Sequence, residues 1–433
     1  MELTLNAEQK RAVMLVNLGK NVFITGPAGT GKSFVIQMII QEAEKCKKQV
    51  QVTASTGLAA SLLDSARTLH SFMSIGLGDQ TYPESYATKI LNNKVVRDRL
   101  RKTDILILDE CSMIDVSYFK MMDKVLRLVR LRSDKKPFGG LQLILIGDFF
   151  QLGPIKPSME LFNDTIWDET IHETVVLHQI YRQKNQVFVD LLMKLRIGEI
   201  DDSVCTTIQE TTLNDLGCFG IKPTILYARN RDVDAMNREE LDKLPGETCI
   251  FHAEDRDIDP KTPQRLPDQL ALKVGAQVMI LVNDDPEIGI VNGARGVVFN
   301  LDRPERIGVR LLSGMEVYLS KSTHETARDA PLLPSSRRQF PLKLAWAITI
   351  HKCQGMTIDY LIVDLAGCFA PGQAYTAISR GTQLENMTIR NFSRSSVITN
   401  HTVTAFHARC LLKRERSEDE ENKKVKRSKH FLT

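Results

Sequence analysis

The chain has 433 residues, 42% of them hydrophobic and 25% charged, a composition typical of a folded protein large enough for two or more domains. Its eight cysteines form no C-x-x-C pair and no secretory signal opens it, so we expect a reducing compartment and no structural zinc site. No apolar run approaches the roughly 20 residues that cross a bilayer, so we expect no membrane partner. Most of the net charge of +4 lies in Lys413–Lys429, so nucleic acid would have to bind in a local groove rather than on a broadly basic face.

The first elements predict a phosphate loop. Apolar residues at helical spacing predict a helix over Asn6–Leu18, and the apolar run Val22–Ile24 predicts a strand. The loop that follows reads Gly26, Pro27, Ala28, Gly29, Thr30, Gly31, Lys32 and Ser33, and a helix is predicted from Phe34. In such a loop, backbone N–H groups bind phosphate oxygens, Lys32 reaches the β- and γ-phosphates, and Ser33 offers an oxygen to Mg²⁺. The pattern favours a nucleoside triphosphate site over a glycine-rich turn with a chance lysine.

Three further apolar runs predict strands of the same sheet, at Gln51–Ala54, Asp104–Asp109 and Leu141–Asp148. The second and third are continuous runs, as expected for strands that a parallel sheet buries on both faces. Because strands alternate with helices, the sequence predicts an α/β fold.

Polar residues at the ends of these strands are candidates for catalysis. Asp109 and Glu110 follow a buried strand, and we interpret them as a Mg²⁺ ligand and the general base that activates water, with a solvated surface pair as the alternative. Gln151 follows the next strand and is predicted to contact the γ-phosphate or the attacking water, unless it is an ordinary turn amide.

A second α/β region is predicted from about Ile171, with a strand at Thr224–Tyr227 and a helix at Asp232–Leu244. From Thr248 to Pro341 short strand-like pieces alternate with Asn, Asp, Gly and Pro clusters, which predicts a small inserted antiparallel β domain. Its predicted strands are Gln277–Val282, Gly296–Phe299, Gly308–Leu312 and Glu316–Leu319. Leu342–Thr349 and Tyr360–Leu365 are predicted to return to the α/β sheet.

Eight short motifs occur in a fixed order along the chain. They are Gly26–Ser33, Thr53–Ala60, Thr68–Phe72, Asp109–Met113, Gly147–Leu152, Tyr181–Gln183, Thr349–Gly355 and Tyr375–Arg380. Each motif alone is weak, but the ordered series is specific. It resembles the series of superfamily 1 helicases, and most closely that of the petite-integration-frequency (Pif) family, in the 5′-to-3′ branch that also contains RecD-like enzymes. The resemblance runs from about Leu5 to Asn391.

The resemblance implies two RecA-like parallel-sheet domains in tandem. The first would span residues 1–170, with a small strand-separating wedge inserted at 73–101. The second would span 171–412 and hold an SH3-like β-barrel at 248–341. A disordered charged tail would follow at 413–433, where Lys423–Arg427 matches a basic nuclear import signal and has a solvated charge run as its alternative.

The resemblance also assigns residues to roles. It makes Gln9 the adenine reader, confirms the parts given above to Lys32, Ser33, Asp109, Glu110 and Gln151, and makes Arg182 and Arg380 arginine fingers. Physics alone does not select these two arginines from the others. The contacts to single-stranded DNA would fall on Thr56, Gly57, His70, Thr349, His351, Lys352, Gln354 and Thr357. Such polar side chains at turns suit backbone contacts that do not read sequence.

The expected function is therefore that of an ATP- and Mg²⁺-dependent DNA helicase that moves 5′-to-3′ on single-stranded DNA and unwinds forked duplex DNA during genome maintenance. We expect a monomer in solution, located in the nucleus or, alternatively, in the cytoplasm of a bacterial or viral system. Two other functions stay open: a RecD-like motor subunit of a recombination complex, and an ATP-dependent DNA-binding remodeller that does not unwind.

Overall fold

The computed structural model describes residues 5–55, 59–60, 63, 66–75, 83–130, 136–154, 159–214, 216, 221–257, 266–285, 287–303, 305–326 and 335–412. Thr56, Gly57 and the predicted import signal at Lys423–Arg427 lie outside these residues.

A parallel sheet of six strands forms the first half of the described chain. Its strands are β1 (Val22–Thr25), β2 (Val50–Ala54), β3 (Arg67–Thr68), β4 (Ile105–Asp109), β5 (Gln142–Gly147) and β6 (Glu173–Val176), in the order β3-β2-β4-β5-β1-β6. All neighbours pair in parallel, with Val22 opposite Ile144 on one side and Glu173 on the other. The sheet therefore takes its edge strand from beyond residue 170.

The strands of this sheet form where apolar runs are buried on both faces. Every residue of β1 is buried, and so are the first four of β4. Side chains on one face pack in a cluster with the helix that follows the phosphate loop, through Val35, Ile36 and Ile39. This arrangement, with helices covering a parallel sheet, confirms the predicted α/β class.

Helices connect the strands of both sheets. The α-helices are α1 (Ala7–Asn17), α2 (Lys32–Lys45), α3 (Leu69–Met73), α4 (Pro83–Asn92), α5 (Lys94–Lys102), α6 (Val116–Arg130), α7 (Thr165–Thr170), α8 (Gln186–Ile197), α9 (Asp202–Glu210), α10 (Asn230–Asp242), α11 (Gln373–Ile378) and α12 (401–412). None of the helices within the described ranges is long and apolar enough to span a membrane. Helices α4 and α5 occupy much of the predicted wedge, whose role stays a prediction.

A second parallel sheet has four strands in the order β18-β7-β19-β20. They are β7 (Thr224–Tyr227), β18 (Ala347–Thr349), β19 (Leu361–Asp364) and β20 (Met387–Arg390). Two parallel sheets in sequence are consistent with tandem RecA-like domains, whose predicted boundaries stay predictions.

Antiparallel strands lie between β7 and β18 in the chain. They are β8 (Cys249–His252), β9 (Glu254–Arg256), β10 (Gln269–Leu272), β11 (Gln277–Ile280), β12 (Arg295–Arg303), β13 (Arg306–Leu311), β14 (Glu316–Ser320), β15 (Ser322–Thr326), β16 (Ser335–Gln339) and β17 (Leu342–Leu344). They form a sheet of order β14-β13-β12-β11-β17, a β15-β16-β9 sheet and a β10-β8 pair. The predicted antiparallel region is present, while its likeness to an SH3 barrel stays a prediction.

One predicted element proved to be two. Leu342–Thr349 was expected to return as a single α/β element, but β17 pairs with β11 of the antiparallel sheet and β18 pairs with β7 of the parallel sheet. The chain crosses between the sheets at Ala345 and Trp346, which are both buried. The mostly apolar segment hides this change, because Leu342 packs in the core of the antiparallel region while Ala347 and Ile348 are buried in the parallel sheet.

Candidate active site

The phosphate loop lies between β1 and α2, as the sequence predicts. Gly29 and Gly31 have φ of +83° and +79°, where a side chain would be strained. A Cβ on Gly29 would lie 2.7 Å from the Cβ of Arg182, so this position also requires the space that glycine leaves. The Lys32 ammonium donates to the carbonyl oxygens of Gly26 at 2.8 Å and Pro27 at 2.9 Å.

A cleft of about 250 Å³ opens over this loop. It is lined by Ala28, Gly29, Gly31, Lys32, Ser33, Ala59, Leu63, Asp109, Glu110, Gln151, Arg182, Gly355 and Arg380. The cleft brings together seven residues that the sequence places far apart: Lys32, Ser33, Asp109, Glu110, Gln151, Arg182 and Arg380. Both arginines, which only the resemblance could select, line it.

Two carboxylates stand at the carboxyl edge of the first sheet. Asp109 ends β4, and Glu110 follows with φ of +52°, a left-handed conformation that is uncommon for a residue with a side chain. Burial, together with the charge of Glu110, raises the pKa of Asp109 to about 7. Burial has the opposite effect on a cation and lowers the pKa of Lys32, although the negative charges of Asp148, Glu110 and Asp109 oppose that shift. A cation placed beside these groups would relieve the cost of burying the carboxylates.

Arg182 approaches the cleft from the segment after β6, and Arg380 approaches it from the residues directly after α11. Arg182 donates to the carbonyl oxygen of Ser379 at 3.1 Å, and burial and the neighbouring Arg380 lower its pKa to about 10. Arg380 is 1% exposed and donates to the side-chain oxygen of Gln151 at 3.3 Å. The predicted γ-phosphate sensor and one predicted finger are thus in direct contact.

Buried polar side chains join α11 to the phosphate loop. The hydroxyl oxygen of Tyr375 accepts a hydrogen bond from the Ala28 amide at 3.0 Å and lies 3.4 Å from Asp148. Asp148 accepts two hydrogen bonds from Arg196, at 3.0 and 2.9 Å, and the guanidinium lies 4.1 Å from the Phe150 ring centre. This cluster was not predicted from the sequence, because Asp148 and Tyr375 lie within longer motifs and nothing in the spacing singles out Arg196.

Gln9 lies beside the phosphate loop. Its side chain accepts from the Asn6 amide in a capping box at the start of α1 and donates to the Thr30 carbonyl at 3.4 Å. Tyr181 is 47% exposed, and its ring lies 3.7 Å from where a Cβ on Gly31 would stand. The sequence prediction includes no separate role for Tyr181, although an aromatic residue directly before a predicted arginine finger is a signal for one.

The predicted nucleic-acid residues within the described ranges fall in two places. His70 lies on α3 with its ring 4.6 Å from that of Tyr118, and burial lowers its pKa. The other described ones lie in the segment Thr349–Thr357, which begins with the last residue of β18. Lys352 and Thr357 are exposed, His351 is half-buried and Thr349 is buried.

Gln354 belongs to the same segment but turns away from the surface. It is 3% exposed and donates from Nε2 to Oε2 of Glu110 at 3.0 Å. The structure therefore places this predicted DNA contact against the predicted general base.

Comparisons with known proteins show which family this chain resembles. The model of the PIF1-like helicase family matches residues 4–206, and that of the Pif1 helicase 2B domain matches residues 262–301. The ATP-dependent DNA helicase PIF1 of Danio rerio is 38% identical over 95% of this chain and 64% of its own length. The chain thus spans less than two thirds of this and the other vertebrate relatives that it matches.

Solved structures show the same similarity. The crystal structure of Pif1 helicase from Candida albicans has a TM-score of 0.80 and 36% identity, covering 94% of this chain and 99% of that one. Pif1 helicase from Bacteroides, in complex with ADP-AlF3 and ssDNA, has a TM-score of 0.73 and 30% identity, covering 94% and 97%.

Proposed function

The chain belongs to the PIF1-like helicase family, and on that basis we propose that it is an ATP-dependent DNA helicase that moves 5′-to-3′ on single-stranded DNA. The observation that carries the proposal is the single cleft in which Lys32, Glu110, Gln151, Arg182 and Arg380 meet. A site that only bound nucleotide would not need a buried carboxylate and two guanidinium groups around the same space. Phosphoryl transfer needs both, because water must be activated and charge develops on the γ-phosphate.

The residues of the cleft suit ATP with Mg²⁺. The phosphate loop would hold the β- and γ-phosphates through its N–H groups and Lys32. The Ser33 hydroxyl and the Asp109 carboxylate are hard oxygen donors, and Mg²⁺ is commonly held by one or two such groups together with substrate phosphates. The raised pKa of Asp109 fits this role, since its charge is costly until a cation lies beside it. Bound Mg²⁺ would neutralise phosphate charge.

The base of the nucleotide would lie at the end of the cleft nearest Gln9 and Tyr181. The Gln9 amide can donate and accept, which suits the edge of adenine, and the exposed face of the Tyr181 ring can stack on a purine. Tyr181 directly precedes Arg182, so a single segment would contact the nucleotide at both ends.

Movement along DNA would follow from opening and closing of the cleft. Arg182 and Arg380 would contact the γ-phosphate, so a bound triphosphate favours closure and hydrolysis removes that preference. His70 would touch the strand from the first sheet, and Thr349, His351, Lys352 and Thr357 from the second. If each side grips more firmly in a different state, the protein advances along the strand.

The test is an unwinding assay on forks with matched duplexes. We expect ATP-dependent unwinding of a fork with a single-stranded 5′ tail, little unwinding of one with only a 3′ tail, and ATP hydrolysis that single-stranded DNA accelerates. Faster unwinding of the fork with the 3′ tail would contradict the proposed 5′-to-3′ direction of movement. Hydrolysis without unwinding of either fork would favour a remodeller or a subunit that requires partners.

A further inference from the structure

The contact between Gln354 and Glu110 links the two ends of the proposed motor. The carboxylate of Glu110 only accepts hydrogen bonds when it is charged, so the amide NH₂ of Gln354 must be the group that faces it. The carbonyl oxygen of Gln354 is buried and has no hydrogen-bond partner among the described residues. A single contact therefore fixes the polar end of this side chain, and it is a contact with the proposed general base.

The segment around Gln354 reaches from the proposed DNA path to the nucleotide cleft. Lys352, two residues earlier, is exposed, whereas Gly355, the next residue, lines the cleft. Between them Cys353 is fully buried, and its thiol donates to the carbonyl oxygen of Ile350 at 3.1 Å. Because the turn is short and anchored, a shift of Lys352 moves Gln354 as well.

The same segment is tied to an arginine finger. The amide of Ile358 donates to the Arg380 carbonyl at 3.0 Å, and the Arg380 guanidinium lies 3.5 Å from the Met356 carbonyl oxygen. A displacement that begins at Lys352 would thus reach two catalytic groups, Glu110 through Gln354 and Arg380 through Met356.

The chemistry of a general base sets the direction of the effect. A carboxylate oxygen takes a proton from water only when a lone pair points at that water, and geometry decides whether this occurs. Gln354 occupies a lone pair of Oε2 and holds the carboxylate in one orientation. While this hydrogen bond lasts, Glu110 is restrained as a base.

We propose that Gln354 is a positioning residue that restrains Glu110 until a DNA strand binds the Thr349–Thr357 segment and withdraws the amide. The inference rests on the proposed function, and it makes the DNA dependence of ATP hydrolysis a property of one hydrogen bond. The phosphates of the strand, held by Lys352 and His351, supply the displacement.

The test compares ATP hydrolysis with and without a saturating single-stranded oligonucleotide. Gln354→Met keeps the length of the side chain and removes the donor, and Gln354→Asn withdraws the donor by one methylene, so either variant answers the question if the other does not fold. Loss of a hydrogen bond to a charged group should raise the DNA-free kcat about tenfold, and the stimulation ratio should fall by the same factor. The KM for ATP should change little, because Gln354 is not among the residues that line the cleft.

Gln339→Met is the matched control. Gln339 is also a fully buried glutamine whose amide donates to a carbonyl oxygen, that of Phe251, but it lies in the antiparallel region. The Gln339→Met variant should leave the stimulation ratio at the wild-type value. A ratio that changes in this control as well as in the Gln354 variants would overturn the inference.

An unchanged stimulation ratio in the Gln354 variants would also overturn it, and this includes the case in which the DNA-free and DNA-stimulated rates fall by the same factor, as a purely structural role would give. A wild-type protein whose hydrolysis ignores DNA would contradict the proposed function instead, so the two failures can be told apart.

Discussion

Breaking the buried ion pair between Asp148 and Arg196 should destabilise the fold strongly, and Asp148→Asn tests this. The side chains of Arg196 and Asp148 are 1% and 0% exposed and share two hydrogen bonds. Asparagine removes the charge while Arg196 keeps its own, because a guanidinium is not deprotonated in proteins. Breaking a buried pair in this way costs about 3–5 kcal/mol, since the remaining charge stays buried without compensation.

This free energy should appear as a large fall in the melting temperature. For a cooperative unit of about 150–250 residues, each kcal/mol shifts the midpoint by about 2–4 °C, so we expect a loss of roughly 6–20 °C. Circular dichroism at pH 7 measures it. The matched control is Glu316→Gln in the exposed pair with Arg310, whose side chains are 48% and 58% exposed and whose loss should cost at most about 1 kcal/mol. Similar shifts in the two variants would refute the reasoning.

The dependence on pH gives a second check of the same pair. Burial alone would raise the pKa of Asp148, but the charge and hydrogen bonds of Arg196 outweigh it and hold the pKa below its ordinary value of 3.8. A carboxyl with a lowered folded-state pKa contributes stability above its unfolded pKa and loses it as the pH falls through the folded value. The difference between wild type and Asp148→Asn should therefore be constant near neutral pH and shrink only below about 3.8. Replacing both residues, as Asp148→Leu with Arg196→Met, should recover much of the loss.

Three predictions concern activity. Lys32→Ala should abolish ATP hydrolysis and unwinding while single-stranded DNA binding, measured by fluorescence anisotropy, persists; DNA-stimulated hydrolysis in this variant would contradict the site assignment. Arg380→Ala should lower kcat about a thousandfold or more and leave nucleotide affinity within a fewfold, because a finger acts on transition-state charge; a defect confined to affinity would exclude that role. Tyr181→Ala should raise the KM for ATP about tenfold through lost base stacking, whereas Tyr181→Phe should restore it, and equal KM values for both variants would show that the ring does not stack.

Many of the strands and helices could be predicted from the local sequence. The runs that became β4 and β5 were predicted within a residue or two, because strands buried on both faces of a parallel sheet consist almost wholly of apolar residues. The phosphate loop was equally predictable, since its strand, glycines, lysine and helix follow one another without interruption. The local sequence could not predict which sheet a strand joins. The division of Leu342–Thr349 shows why, because the strands with which it pairs lie far away in the sequence.

The site was predictable only where a residue's type fixes its chemistry. The roles of Lys32 and Glu110 could be predicted from the neighbouring sequence, whereas those of Arg182 and Arg380 required a family resemblance. The place of Arg196 could be predicted from neither. Gln354 shows the limit most clearly. Its motif suggested a surface contact, yet an amide in a turn can face either side, and the side chain that it contacts, Glu110, lies 244 residues away in the sequence.

The edge strand β6 decides how this chain can be divided for laboratory work. A fragment that stops at residue 170 would lack Glu173–Val176 and leave β1 with a row of unpaired backbone groups, which is a template for aggregation. It would also carry Asp148 without Arg196. Expression of the amino-terminal half on its own should therefore continue through Ile197, where α8 ends, if soluble protein is wanted.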